Sequence, residues 1–131
     1  MERILIDTPK APKPIRPYYS QAFKVKADHI IFLSGQTGRT TQGDIAKGDI
    51  RKQTVQAIEN IKAILEEAGA SLGNIVKLVV YTTDIEKYFE DISEIRLKYF
   101  GADAPPTSTL IGVKRLALKD MLIEIDATAV I

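Results

Sequence analysis

The chain contains no cysteine, a single histidine and no long hydrophobic run. Without cysteine there are no disulfides, no thiolate nucleophile and no thiolate metal site, a composition suited to a reducing, cytoplasmic compartment. One histidine, His29, cannot build a multi-histidine metal site. No stretch approaches the roughly 18 apolar residues that cross a bilayer, and the first residues do not resemble a signal peptide, so a soluble protein is expected. An excess of one charge is missing too. Lys and Arg number 18 and Asp and Glu 17, so no large field draws the chain to nucleic acid or to a membrane surface, and neither is expected as a partner. What is present is 131 residues, 45 % of them apolar, enough for a single domain over residues 1–131 with its own core.

Three prolines within Ala11–Pro17 fix φ and withhold backbone donors, which makes residues 1–17 an extended, proline-rich lead-in with regular structure expected after it. Tyr19, Gln21, Phe23 and Val25 alternate with Ser20, Ala22 and Lys24 as in a strand, and Ile30-Ile31-Phe32-Leu33 is a second strand. Lys26-Ala27-Asp28-His29 between them reads as a hairpin turn, with His29 a solvated turn residue. A polar loop follows Ser34-Gly35-Gln36 and runs to Gly48. Asp49 then suits the N-cap of a helix with Ile58, Ile61, Ile64, Leu65 and Ala68 at helical spacing, closed by Gly69. Ile75–Thr82 is a β-branched strand, and Asp84 caps a second helix that carries Ile85, Tyr88, Phe89, Ile92, Ile95 and Tyr99 on one side up to Gly101. Glu86, Glu90 and Glu94 recur every four residues on that helix, the pattern of a solvated face with lysines nearby. Thr107–Val113 is a further strand, Leu116–Asp120 a connecting loop, and Ile123, Ile125, Ala127 and Ala129 alternate with Glu124, Asp126 and Thr128 in the last one. The expected order is β-β-α-β-α-β-β, an α+β fold with two helices on one face of a sheet.

The strand at 76–82 has Val76, Leu78 and Val80 on one face and Lys77, Val79 and Tyr81 on the other, so both faces carry apolar groups. Two helices cover one face only, which leaves the second for another subunit or for a sheet that curls to cover itself. On the final strand the two-residue repeat points Glu124 and Asp126 the same way, an arrangement that serves acid–base chemistry or an interface equally well.

Four segments stand together in order: Pro17-Tyr18-Tyr19-Ser20-Gln21-Ala22, Phe32-Leu33-Ser34-Gly35-Gln36, Ile75–Asp84 and Ile123–Ala129. With Gln53-Thr54 and Asn60-Ile61 of the first helix, they resemble the YjgF/RidA family from about residue 14 onward. The resemblance implies a chorismate-mutase-like fold, a homotrimer whose ligand clefts lie between subunits, and hydrolysis of reactive imines and enamines to 2-keto acids and ammonia with no cofactor and no metal. It further implies that Glu124 positions or polarises the attacking water. By the same resemblance Tyr19, Ser34 and Gly35 wall the pocket, and the backbone of Thr109 meets the reacting nitrogen.

In that family an arginine grips the substrate carboxylate, and its place here falls on Thr107, in Pro105-Pro106-Thr107-Ser108-Thr109. A threonine hydroxyl is neutral and makes one donor bond where a guanidinium offers a fixed charge and paired donors. The usual asparagine of the second helix falls on Ser93. Arg16 and Arg39 are the cations near enough in sequence to replace the missing one. Two readings follow: a deaminase-like hydrolase with a different or weaker substrate range, and a trimeric small-molecule-binding protein without catalysis. A third role attached to parts of the family, endoribonuclease or translation inhibitor, fits poorly with balanced charge and no catalytic histidine.

Overall fold

The computed structural model describes residues 1–131. Its two helices are those the capping residues mark. α1 (Ile50–Glu67) begins where the Asp49 carboxylate accepts a bond from the Lys52 amide at 3.0 Å, and α2 (Ile85–Phe100) where Asp84 accepts from the Lys87 amide at 3.1 Å. Each side-chain cap satisfies one of the amides that a helix start leaves without a partner. Beyond each C-terminus stands a glycine in the left-handed region, Gly69 (φ +77°) and Gly101 (φ +71°). The buried stripe of α1, Ile58, Ile61 and Leu65, packs with Ile92 and Ile95 of α2 onto one face of a sheet.

That sheet has β7 (Ile123–Val130) and β5 (Ile75–Thr82) at its centre, antiparallel to each other. β3 (Ile30–Phe32) and the short β4 (Gln36–Thr37) both pair with β7, and β6 (Thr107–Gly112) lies parallel to β5 on the far side. The mixed sheet with two helices on one face is the expected α+β fold. In β7 the alternation holds: Ile123, Ile125, Ala127 and Ala129 are buried under the helices, and Glu124, Asp126 and Thr128 point to the open face. In β5 a bulge between Ile75 and Lys77 changes the start of the pattern, so that Ile75 rather than Val76 enters the core beside Leu78 and Val80. Glu86, Glu90 and Glu94 are exposed; Glu90 pairs with Arg16, and Glu94 with Arg51 and Lys98.

The N-terminal region differs from the sequence expectation in two ways. Regular structure starts before the prolines, because β1 (Glu2–Ile6) pairs antiparallel with β2 (Ala22–Lys26). Residues 26–29 do not fold β2 back onto β3. They lack the Gly or Asn that a tight hairpin turn favours, and the amides of Asp28 and His29 instead both donate to the carbonyl of Ile131 at 2.8 and 2.9 Å. The β1–β2 hairpin therefore swings to the other edge of the sheet. There Arg3 stacks on Phe23 at 4.6 Å and donates to the carbonyls of Gly73, Ile75 and Ala104, and Ser20 bonds the carbonyls of Pro105 and Pro106. The Gln21 side chain holds the lead-in through Thr8, Ala11 and Pro12. The segment 18–23 is thus laid along the start of β6.

Candidate functional site

Register places the open-face side chains in rows across the sheet. Glu124 is opposite Tyr81, which is beside Ile111; Asp126 is opposite Val79, which is beside Thr109; Lys77 is beside Thr107. Glu124 and Asp126 are neighbours on one face, and the Tyr81 hydroxyl donates to Asp126 at 3.5 Å. Partial burial raises the carboxyl of Glu124 above its ordinary value, and the adjacent Asp126 charge adds to the shift. Burial and the same two carboxylates raise the Tyr81 phenol.

Gly35 meets this pair directly. A β-carbon there would lie 2.7 Å from the Glu124 carboxyl and from Asp126 Oδ1, a separation that side-chain carbons do not tolerate, so the glycine allows β4 and its lead-in to approach. Ser34 beside it is exposed, and its carbonyl accepts from the Gln36 amide nitrogen. Gly35 and Glu124 share a groove of about 530 Å³ with Thr37, Arg39 and Asn60. Asn60 of α1 fixes one wall by donating to the carbonyls of Thr37 and Arg39 at 3.1 and 2.8 Å. Gln53, fully buried, ties the loop ahead of α1 to the one ahead of β7: its amide nitrogen donates to Ala46 and Asp120, and its oxygen accepts from the Leu122 amide.

The remaining expected site residues gather elsewhere. Tyr19, Thr107 and Thr109 line a second hollow at the β6 edge together with Phe23 and Lys77. The Tyr19 hydroxyl accepts from the Ile15 amide at 3.1 Å. The Thr107 hydroxyl donates to the Val76 carbonyl at 2.8 Å, taking up the group at the β5 bulge. Strand spacing separates β6 from β7 by about 10 Å. One chain thus carries the expected residues in two halves, Gly35 and Glu124 with Ser34 adjacent on one side and Tyr19, Thr107 and Thr109 on the other. Of the two alternative cations, Arg39 lies in the groove of Glu124, and Arg16 stacks on Phe89 at 4.8 Å beside Tyr19.

Arg96 went unnoticed in the sequence. It lies on the covered side of α2, four residues after Ile92 and three before Tyr99, and is buried; its guanidinium donates to the Tyr18 carbonyl at 3.3 Å. The signal was a charged residue placed within the apolar stripe, at helical spacing from both.

Comparison with known proteins gives a consistent picture. The sequence signature described as Endoribonuclease L-PSP matches residues 8–131. The chain is 49 % identical over 130 residues to a RutC family protein of Pyrococcus abyssi, covering 98 % of each. It is 35 % identical over 128 residues to a protein of Dermatophagoides farinae named 2-iminobutanoate/2-iminopropanoate deaminase, covering 97 % of this chain and 95 % of that one. In three dimensions it resembles YyfB of Yersinia pestis, a protein of unknown function in the conserved Rid family, with a TM-score of 0.90, 29 % identity and full coverage of both chains.

Proposed function

This chain belongs to the endoribonuclease L-PSP family, the RutC and Rid proteins, and from that membership we propose that it hydrolyses the C=N bond of small imines and their enamine tautomers. Water adds to the imine carbon, a proton moves to nitrogen, and the carbinolamine collapses to a keto compound and ammonia. The observation that carries this reading is the Glu124 carboxyl, with its proton affinity raised by burial and by Asp126, in a groove that only glycine at position 35 leaves open. In its ionised form that carboxylate takes a proton from the attacking water and returns it to the leaving nitrogen, and its raised value brings it nearer the pH at which both steps are efficient. The deaminase name of the Dermatophagoides relative supports the same chemistry.

The two halves of the expected site stand about two strand spacings apart. We place their union between subunits of a homotrimer, where Tyr19 and Thr109 of one copy face Glu124 of the next. Exposed Phe32, Ile30 and Ile111 supply apolar surface for that contact. The substrate is a small metabolite, the location cytoplasmic, and neither nucleic acid nor membrane is a partner. Thr107, neutral and bonded to Val76, shifts the substrate range away from acids that need a cation at that point. The same bond favours a second reading, ligand binding without turnover. Ammonia release from freshly generated 2-iminopropanoate, 2-iminobutanoate and uncharged imines separates the two: hydrolysis predicts release above the spontaneous rate, lost in Glu124→Gln, and no excess release with any imine refutes it.

A further inference from the structure

Arg96 is the most deeply buried guanidinium of the chain, with 7 % of its surface exposed. None of the ion pairs in the structure includes it. Its single hydrogen bond runs to the Tyr18 carbonyl, and its Nε is buried with no partner. The other buried side-chain atom with no partner in the molecule is the hydroxyl of Ser108. Both residues line one cavity of about 400 Å³ between α2 and β6, beneath the segment from Ile15 to Tyr19.

Two buried donors without partners, on residues that line one cavity, are not what an unliganded protein interior tolerates. A buried charge without a counter-ion is costly, and buried polar groups are ordinarily satisfied. Burial pushes Arg96 down to about 10, which leaves it charged at neutral pH. No aspartate or glutamate lines the cavity. Its apolar and aromatic walls are Ile15 and Leu110, with Tyr18 set edge-on to Phe89 at 6.2 Å between ring centres, and Ser93 and Thr109 add hydroxyls to the lining. Arg16 lies at the exposed rim, paired with Glu90 at 3.3 Å. The volume lies within the range of small-ligand sites.

The geometry points to an anion-binding site in which Arg96 and Ser108 hold the carboxylate of a small organic acid whose apolar body rests against Tyr18 and Phe89. A planar guanidinium matches a carboxylate in paired bonds, and the serine hydroxyl satisfies a remaining lone pair. In the proposed imine hydrolysis, on which this step alone rests, the carboxylate is that of an imino acid. The charge then lies on the helix side of β6 with Ser108, whereas Thr107 faces the open side and supplies none.

Calorimetric titration at pH 7 and low salt tests the site, with 2-oxobutanoate and benzoate as acids and 2-butanone and benzamide as their uncharged counterparts. The wild type is expected to bind the acids saturably and the neutral molecules at least tenfold more weakly. Arg96→Met should weaken acid binding at least tenfold while the ligand-free Tm stays level or rises, since an uncompensated charge has left the interior. Ser108→Ala should weaken it severalfold with no change in ligand-free Tm. Absence of saturable acid binding by the wild type overturns the proposal, as does undiminished binding by Ser108→Ala or by a folded Arg96→Met. Ammonia release scored on the same preparations keeps the two readings apart: acid binding without release leaves this site standing and sinks the hydrolysis, and release without acid binding does the reverse.

Discussion

At the scale of single residues, the carboxylate groove depends on one missing β-carbon. In Gly35→Ala the new methyl would fall 2.7 Å from Glu124 Cδ and Oε2 and from Asp126 Oδ1, atoms at the ends of movable side chains. The fold can yield there by turning the carboxylates aside, so stability should change by less than about 1.5 kcal/mol. Ammonia release should fall on the order of tenfold or more, because displaced catalytic groups lose their alignment; parallel thermal melts and rate assays check this, and a fully active Gly35→Ala contradicts it. Glu124 makes a pH prediction. Its folded-state value is raised, so its favourable contribution is complete below the ordinary glutamate range and is lost as pH rises through the raised value. Glu124→Gln, which never ionises, should therefore melt above the wild type at pH 7 and level with it below about pH 4. A Tm advantage confined to acid would reverse the sign and exclude the stated cause. Glu124 was legible in the sequence because β7 alternates without interruption. Arg96 was harder to read, since an arginine in a helix ordinarily reads as surface and its place within the apolar stripe is a weak signal beside that expectation.

At the scale of elements, the helices were readable because their caps and periodic stripes are local signals, and Asp49, Asp84, Gly69 and Gly101 stand where those signals put them. The N-terminal hairpin was not, because strand pairing is a choice among partners distant in sequence: β2 meets β1 across the prolines, and residues 26–29 are tied to Ile131 rather than turned on themselves. The short β4 was missed for a related reason, having only Gln36 and Thr37 and no alternation to count. Gln53 belongs to this scale because it joins elements. Its one side chain closes three backbone groups, at Ala46, Asp120 and Leu122, in a fully buried setting. Gln53→Ala should cost about 3 to 5 kcal/mol, as it leaves those groups without partners and opens a void. Urea denaturation should show a lower midpoint with an unchanged slope, and a loss below about 1 kcal/mol would mean that water substitutes for the amide.

For the molecule as a whole, the open face of the sheet sets the expectation of association. Phe32 is 78 % exposed and Ile30 60 %, on a strand with one unpaired edge, and such surfaces are normally covered by a partner. Static light scattering at dilute concentration should give three times the subunit mass; a monodisperse monomer would remove the inter-subunit site from consideration. The topology has a further consequence, and it concerns time. β7 pairs with β3, β4 and β5, all of which precede it in the chain. A ribosome therefore makes both helices and nearly every strand before it makes the strand that holds them together. Until residues 123–130 emerge, β3 has no partner strand and β5 has only β6 on its other side, and their open edges must wait for seconds at ordinary rates of synthesis. This fold is closed last at its centre, so nascent chains stalled just short of Ile123 should be the ones that chaperones hold.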